Sequence, residues 1–277
     1  MLAHKIGENL PLGVFYNMPE GEYHSVKALS YSGMKELRRS PAHFQAYLNK
    51  EWEVDSDREK YKAVHVLCLE PEMHSKIVIK DGTWARALKD EVIALQKEGK
   101  LVLKSEKYEE AKNIAAHVMN HPIAGNFFRS SKPEVSLFWV DDRTGAYCKA
   151  RIDALYVPEN ENDDIHLGDL KNFGDLSGEG LINYQITERL YHWQMYFYSK
   201  GIKAIFGKAP KLVQWTFVEE KAPHGVKVRM CTDAMLERAG NDIEPLIEKY
   251  AECSADDVWP GYEDDALDAD LTSYGWE

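Results

Sequence analysis

Asp153 closes the run Ala150-Arg151-Ile152-Asp153, and sixteen positions later Gly168-Asp169-Leu170-Lys171 sets a second carboxylate two residues from an amine. Residues 145–153, continuing through Val157, read as a strand. Pro158-Glu159-Asn160-Glu161-Asn162-Asp163-Asp164 reads as a loop, and residues 165–170 as the returning strand. Side chains alternate across a strand, so Asp169 and Lys171 share a face while Leu170 enters the core. Two carboxylates a few ångströms apart repel each other unless a hard cation lies between them. Magnesium suits that place, because it takes oxygen ligands and keeps several waters. A neighbouring lysine orients or helps deprotonate a water and neutralises charge developing on phosphate. This is the outline of a phosphodiester hydrolase. The plainer reading is a surface hairpin whose Asp169–Lys171 ion pair contributes little, and the triplet alone does not separate the two.

The elements that must position these groups can be read on either side. Residues 1–28 form an irregular leader with Pro11, Gly13, Pro19 and Gly21. Ser32 caps a helix through Arg39, and Ser40-Pro41 starts another. Ser56-x-x-Glu59 is a capping box for a helix to about Leu69 that ends at Pro71. Tyr61, Val64, His65, Cys68 and Leu69 share one face of it, which turns His65 inward as a hydrogen-bonded core residue or a ligand. Helices are expected over 83–98 and 105–119, and a strand over 134–140. A glycine-rich loop, 172–180, lacks the G-xxxx-G-K-S/T phosphate loop of nucleotide-driven motors. A long helix over 184–201 carries Leu190, Trp193, Gln194, Phe197 and Tyr198 on its inner stripe. Gln194 is the polar exception, and a buried amide needs a partner: DNA phosphate, a catalytic side chain, or backbone. Tyr191 is placed to meet Gln194 from the same side. Strands over 211–219 and 226–230 and a helix over 234–252 close an α/β layout, a central mixed sheet flanked by helices.

With 277 residues, 44% hydrophobic and 11% aromatic, the chain buries a full core in one domain. No run approaches a membrane span and the N-terminus lacks a signal-peptide core, so a cytoplasmic protein is expected. Cys68, Cys148, Cys231 and Cys253 are scattered, which argues against zinc, disulfides or an iron–sulfur cluster. The net charge is −12, but 255–277 holds eight acidic residues and no Lys or Arg, leaving −4 for the rest. A mildly acidic body can still present a local basic surface to DNA, with Lys35, Arg38, Arg39, Lys203, Lys208 and Lys211 as candidate contributors. The organisation expected is a leader over 1–28, a catalytic domain over 29–254 and an acidic tail over 255–277.

Read together, Leu29-Ser30-Tyr31-Ser32-Gly33-Met34-Lys35-Glu36-Leu37, Arg39-Ser40-Pro41-Ala42-His43-Phe44, Ala63-Val64-His65-Val66-Leu67-Cys68-Leu69-Glu70-Pro71, Cys148-Lys149-Ala150-Arg151-Ile152-Asp153, Asp169-Leu170-Lys171 and Tyr191-His192-Trp193-Gln194 with Tyr198 resemble the PD-(D/E)xK nuclease superfamily. The branch they resemble is the RecE (exonuclease VIII)-like one of phages and prophages. Tyr61, Ile152 and Asn172 depart from its usual glycine, proline and threonine. The resemblance implies a restriction-endonuclease-like αβββαβ core and Mg2+, with Mn2+ as a substitute. It implies metal ligation by Asp153, Asp169, the Leu170 carbonyl, His65 and Glu134, and a catalytic set of these side chains with Lys171 and Gln194. Gln194, Tyr191, Tyr198 and Arg151 would support substrate. Glu134 is otherwise a plain edge-strand glutamate. The activity implied is 5′-to-3′ digestion of one strand at double-stranded DNA ends, in the cytoplasm of a bacterial host. A ring-shaped homo-oligomer, a trimer or tetramer, would leave 3′ single strands for a single-strand annealing recombination protein. The alternatives are a structure-specific endonuclease of the same superfamily and a non-catalytic DNA-end-binding or accessory protein.

Overall fold

The computed structural model describes residues 10–49, 56–83, 86–160 and 162–262. In chain order the elements are β1 (Gly13–Phe15), α1 (Glu20–Ser25), α2 (Tyr31–Arg39), α3 (Pro41–Leu48), α4 (Ser56–Leu69), β2 (Ile77–Ile79), α5 (Arg86–Lys97), β3 (Leu101–Leu103), α6 (Ser105–Asn120) and α7 (Ala124–Ser130). There follow β4 (Lys132–Val140), β5 (Tyr147–Tyr156), β6 (His166–Phe173), α8 (Glu179–Glu188), α9 (Tyr191–Phe206), β7 (Leu212–Glu219), β8 (Val226–Met230) and α10 (Asp233–Asp256).

The long strands carry alternating or continuous apolar residues and form one mixed sheet in the order β1-β4-β5-β6-β7-β8, flanked by helices as expected. β2 and β3 form a separate parallel pair; within the mixed sheet β6 and β7 run parallel and the other neighbours antiparallel. A parallel pair needs a crossover, and here α8 and α9 make it, so α9 is carried back across β6. On that face Ile152, Phe173, Phe197, Trp215 and Ile243 join a main core built with α2, α9 and α10. On the other face Ala154, Leu170 and Val218 meet α4, α6 and α7 in a second core. Gly201 permits the first packing, because a Cβ there would come 2.7 Å from the Trp139 ring.

Several expectations are corrected. The 1–28 segment is not irregular throughout: β1 pairs with β4, and Met18, Tyr23 and Ala28 pack on Phe138 and Tyr147. The cap of α2 is Ser30, whose hydroxyl accepts from the Gly33 amide, rather than Ser32. The capping box at Ser56 has that side chain outside the described residues, as are residues 263–277 of the acidic tail. The helix expected over 184–201 is two helices, broken at Arg189-Leu190, where Leu190 takes a left-handed conformation (φ 58°). α7 was not foreseen: seven residues are too few for a periodic signal.

Candidate active site

Three adjacent strands set their carboxylates in one row. Pro133 pairs with Ala154 and Val135 with Ile152, which places Glu134 opposite Asp153. Ala154 pairs with Gly168, so Asp169 follows beside Asp153. Both steps distort the sheet. Glu134 has left-handed backbone, φ 47°, at a cost of about 1–3 kcal/mol. The alternation of β5 changes phase across Asp153: Cys148, Ala150, Ile152 and then Leu155 enter the main core, while Ala154 enters the second. Pairing of β5 with β6 covers only Ala154–Tyr156 against His166–Gly168. Where the strands part, the Leu170 amide donates to Asp153 Oδ2 at 2.9 Å. In a strand residue N–H and C=O point to the same side, so the Leu170 carbonyl also faces this fork.

Into the fork α4 projects His65, whose Nδ1 lies 3.7 Å from Asp153 Oδ2. One ligand atom each from His65, Glu134 and Asp153 lie within 4.8 Å of one another. An imidazole nitrogen with carboxylate oxygens is a fitting donor set for a divalent cation. Glu134 is held by Arg151, which donates to Glu134 Oε2 at 2.6 Å, to the Met18 carbonyl at 2.9 Å and to Ser136 Oγ at 3.2 Å. Arg151, expected on the substrate, is thus engaged within the protein.

Asp169 is 1% exposed and stands outside that three-residue group. Its Oδ1 accepts from Lys171 Nζ at 3.0 Å and from Gln194 Nε2 at 2.8 Å, and its Oδ2 lies 2.7 Å from the same ammonium. Gln194 Nε2 also donates to Tyr198 Oη at 3.1 Å. On the crossover helix α9 the buried Gln194 amide thus serves the Asp169 carboxylate, and the buried Tyr198 stands behind it. Tyr191, expected beside Gln194, instead sets its ring 5.2 Å from the Lys171 ammonium.

Burial pushes the Asp169 carboxyl up to about 7, helped by the Asp153 charge and opposed by Lys171. Burial works against the Lys171 cation, but Asp169 and Asp153 outweigh it and hold the ammonium protonated well above its ordinary range.

Sequence reasoning assigned no individual role to further groups here, Lys35 apart. Glu70, five residues after His65, is pushed up to about 7 by burial and then by Glu134. Tyr31 on α2 donates to the Arg189 carbonyl at 2.7 Å, and its hydroxyl is raised by burial while feeling the Lys171 charge. Lys35 sits 4.7 Å over the Tyr31 ring. Its ammonium is lowered by burial and by Lys171, with Arg189 adding to the repulsion. The signal for Glu70 lay in the Leu69-Glu70-Pro71 helix end. Nothing local marked Tyr31 or Arg189. Among the described residues no helix is long and apolar enough to cross a membrane, and all four cysteines are buried and free.

The family described as a PDDEXK-like domain of unknown function (DUF3799) matches residues 30–268. No curated protein matches the chain. Among solved structures, a candidate exonuclease from Eubacterium rectale is 15% identical, with 85% of each chain covered and a TM-score of 0.57, which shows a shared fold. The Rai1 protein of Scheffersomyces stipitis, bound to 3′-NADP+ and calcium, is 12% identical over 88% of this chain and 74% of that one. Its TM-score of 0.26 supports no comparison.

Proposed function

We propose that this chain, which belongs to the PDDEXK-like domain family of unknown function (DUF3799), is a magnesium-dependent exodeoxyribonuclease. The observation that carries the reading is the convergence of His65, Glu134 and Asp153 within 4.8 Å beside the chain of half-buried Lys171 and buried Asp169 and Gln194. The reaction is in-line hydrolysis of a phosphodiester. A divalent cation, Mg2+ or in its place Mn2+, would supply polarisation of the scissile phosphate and compensation of charge. Asp153, Glu134, His65 and the Leu170 carbonyl would hold it, and Asp169, outside that group and bound to Lys171 and Gln194, would complete the set from the lysine side. Lys171, kept protonated, orients the attacking water and donates to the phosphate oxygen that gathers charge. Gln194 fixes Asp169, and through it Lys171. Lys35, which feels the Lys171 and Arg189 charges, and Arg38, over the Trp193 ring one residue from Gln194, offer cations that suit a duplex backbone.

The finer reading is 5′-to-3′ digestion of one strand of linear duplex DNA, leaving a 3′ single strand for an annealing recombination protein. A ring of three or four copies in a bacterial cytoplasm would carry it out. The order of motifs along the chain supports this part.

The test uses purified protein, linear and covalently closed duplex DNA, and magnesium or EDTA, with Asp169→Ala and Lys171→Ala alongside. Magnesium-dependent loss of linear DNA alone, abolished by both substitutions, is the expected result. Cleavage of the closed circle would make the enzyme an endonuclease, and an inactive wild type that still binds ends would make it an end-binding module.

A further inference from the structure

Two elements that carry the site continue beyond it into a cavity of about 650 Å3. Cys68 and Leu69, one turn after His65 on α4, form one wall, and Lys132 and Pro133, directly before Glu134 on β4, form another. Helix residues three and four apart are surface neighbours, and successive strand residues advance only about 3.3 Å. The cavity therefore begins one residue from Glu134 and one turn from His65, although His65, Glu134 and Asp153 are not themselves in its lining.

Its lining has a definite chemistry. Tyr16 from the leader, 46% exposed, puts an aromatic side chain in the lining. Pro71 and Pro133 add flat apolar surface. Arg129 is fixed by donating to the Met119 carbonyl and Asn126 Oδ1, each at 2.9 Å. With Lys132 it sets two cations against the single carboxylate of Glu72. The volume falls in the range of small-ligand sites, about 300–1,000 Å3. An exposed aromatic side chain, apolar walls and a net positive charge, a residue or a turn away from donors suited to a cation, are features that suit a nucleotide.

We infer that this cavity seats the terminal nucleoside joined to the scissile phosphate, with its base on Tyr16 and its outer phosphate toward Lys132 and Arg129. The inference rests on the nuclease reading and adds to it a subsite that recognises the departing unit through its base. Stacking on an aromatic side chain tolerates any base, so the subsite favours the presence of a base without selecting among the four.

Two arms test it. In the first, linear duplexes carry either a normal terminal nucleotide or an abasic analogue in the hydrolysed strand, and wild type is compared with Tyr16→Ala and Tyr16→Phe. Loss of the base should lower kcat/KM about tenfold in wild type and in Tyr16→Phe, the scale of one stacking contact, and less than twofold in Tyr16→Ala. Equal losses in all three proteins would overturn the inference. Tyr16 is outside the cores, and thermal melting verifies that each variant folds. The second arm needs no turnover: deoxyadenosine monophosphate and deoxyribose 5-phosphate are titrated calorimetrically into the full chain with calcium. The nucleotide should bind about tenfold tighter, a preference lost in Tyr16→Ala; equal affinities would overturn the inference. If the wild type hydrolyses neither duplex, the nuclease reading fails, and the second arm alone decides whether the cavity is a nucleotide site.

Discussion

Lys171 can act on a phosphate only while its ammonium is charged and aimed, and both conditions are met by neighbours rather than by the lysine. Asp169 holds it at 2.7 Å, and Gln194 holds Asp169 at 2.8 Å. Replacing Lys171 by Met should therefore lower kcat by about a thousandfold, in the range for a lost electrostatic stabiliser. Gln194→Ala should cost about ten- to a hundredfold in kcat with KM little changed, because it loosens the positioning and leaves the DNA contacts alone; steady-state hydrolysis of an end-labelled duplex separates the two parameters. The raised carboxyls give a second prediction. Asp169 and Glu70 take up protons near pH 7 in the folded, metal-free protein, whereas the unfolded chain does so only near 4. Each therefore contributes stability that is complete below the unfolded value and lost as pH rises through about 7. Melting temperatures of the metal-free protein between pH 5 and 8 should fall less steeply in Asp169→Asn and in Glu70→Gln than in wild type. A slope unchanged in both would show that these carboxyls titrate normally.

At the scale of elements, the site exists because regular pairing fails at one place. β5 shifts phase at Asp153, Glu134 bends into left-handed backbone, and β6, paired with β7 along its whole length, parts from β5 after Gly168. Gly168 has a strict reason: a Cβ there would lie 2.1 Å from Phe127 on α7. Gly168→Ala should cost about 1–3 kcal/mol through overpacking. It should also depress activity more than stability, since the next residue is Asp169; chemical denaturation and hydrolysis on the same preparation would show it. The periodicity of β5 and β6 was readable because alternation and a polar turn are local signals, and so was the face shared by Asp169 and Lys171. The inward face of His65 was readable for the same reason, whereas its approach to Asp153 is a tertiary fact. The break at Leu190 carries no glycine or proline to announce it, so one helix was expected where α8 and α9 meet at an angle that brings the Arg189 carbonyl to Tyr31. β1 and α1 were hidden because their apolar residues are few and take meaning only against Phe138 and Tyr147.

At the scale of the whole molecule, a net charge of −12 must be reconciled with an anionic polymer as substrate. Lys35 and Arg189, the cations grouped near Lys171, answer part of it. Lys35→Glu with Arg189→Glu should leave the melting temperature unchanged and weaken duplex binding. The slope of log affinity against log salt should flatten by about two contacts, at roughly 0.9 per phosphate neutralised. The acidic end answers the rest, and where it is cut matters. Trp259 lies after α10 yet stacks on Phe44 at 5.3 Å and meets Tyr250 at 6.0 Å, while the Ala42 amide donates to the Pro260 carbonyl at 3.0 Å. Removing 255–277, the tail as composition alone defines it, strips an aromatic residue from the contact with α3 and α10 and should lower the melting temperature by about 5 °C or more. Removing only 263–277 takes away six carboxylates and no cation, moving the net charge to −6. That shorter cut should leave melting unchanged and tighten DNA binding at low salt, because fewer fixed anions then oppose the approaching phosphates. The gain should vanish as salt rises past about 0.15 M, where charges more than about 8 Å apart are screened. Equal melting temperatures for the two truncations would show that Trp259 contributes no measurable stability. A salt-independent gain in affinity would assign the tail a contact role rather than an electrostatic one.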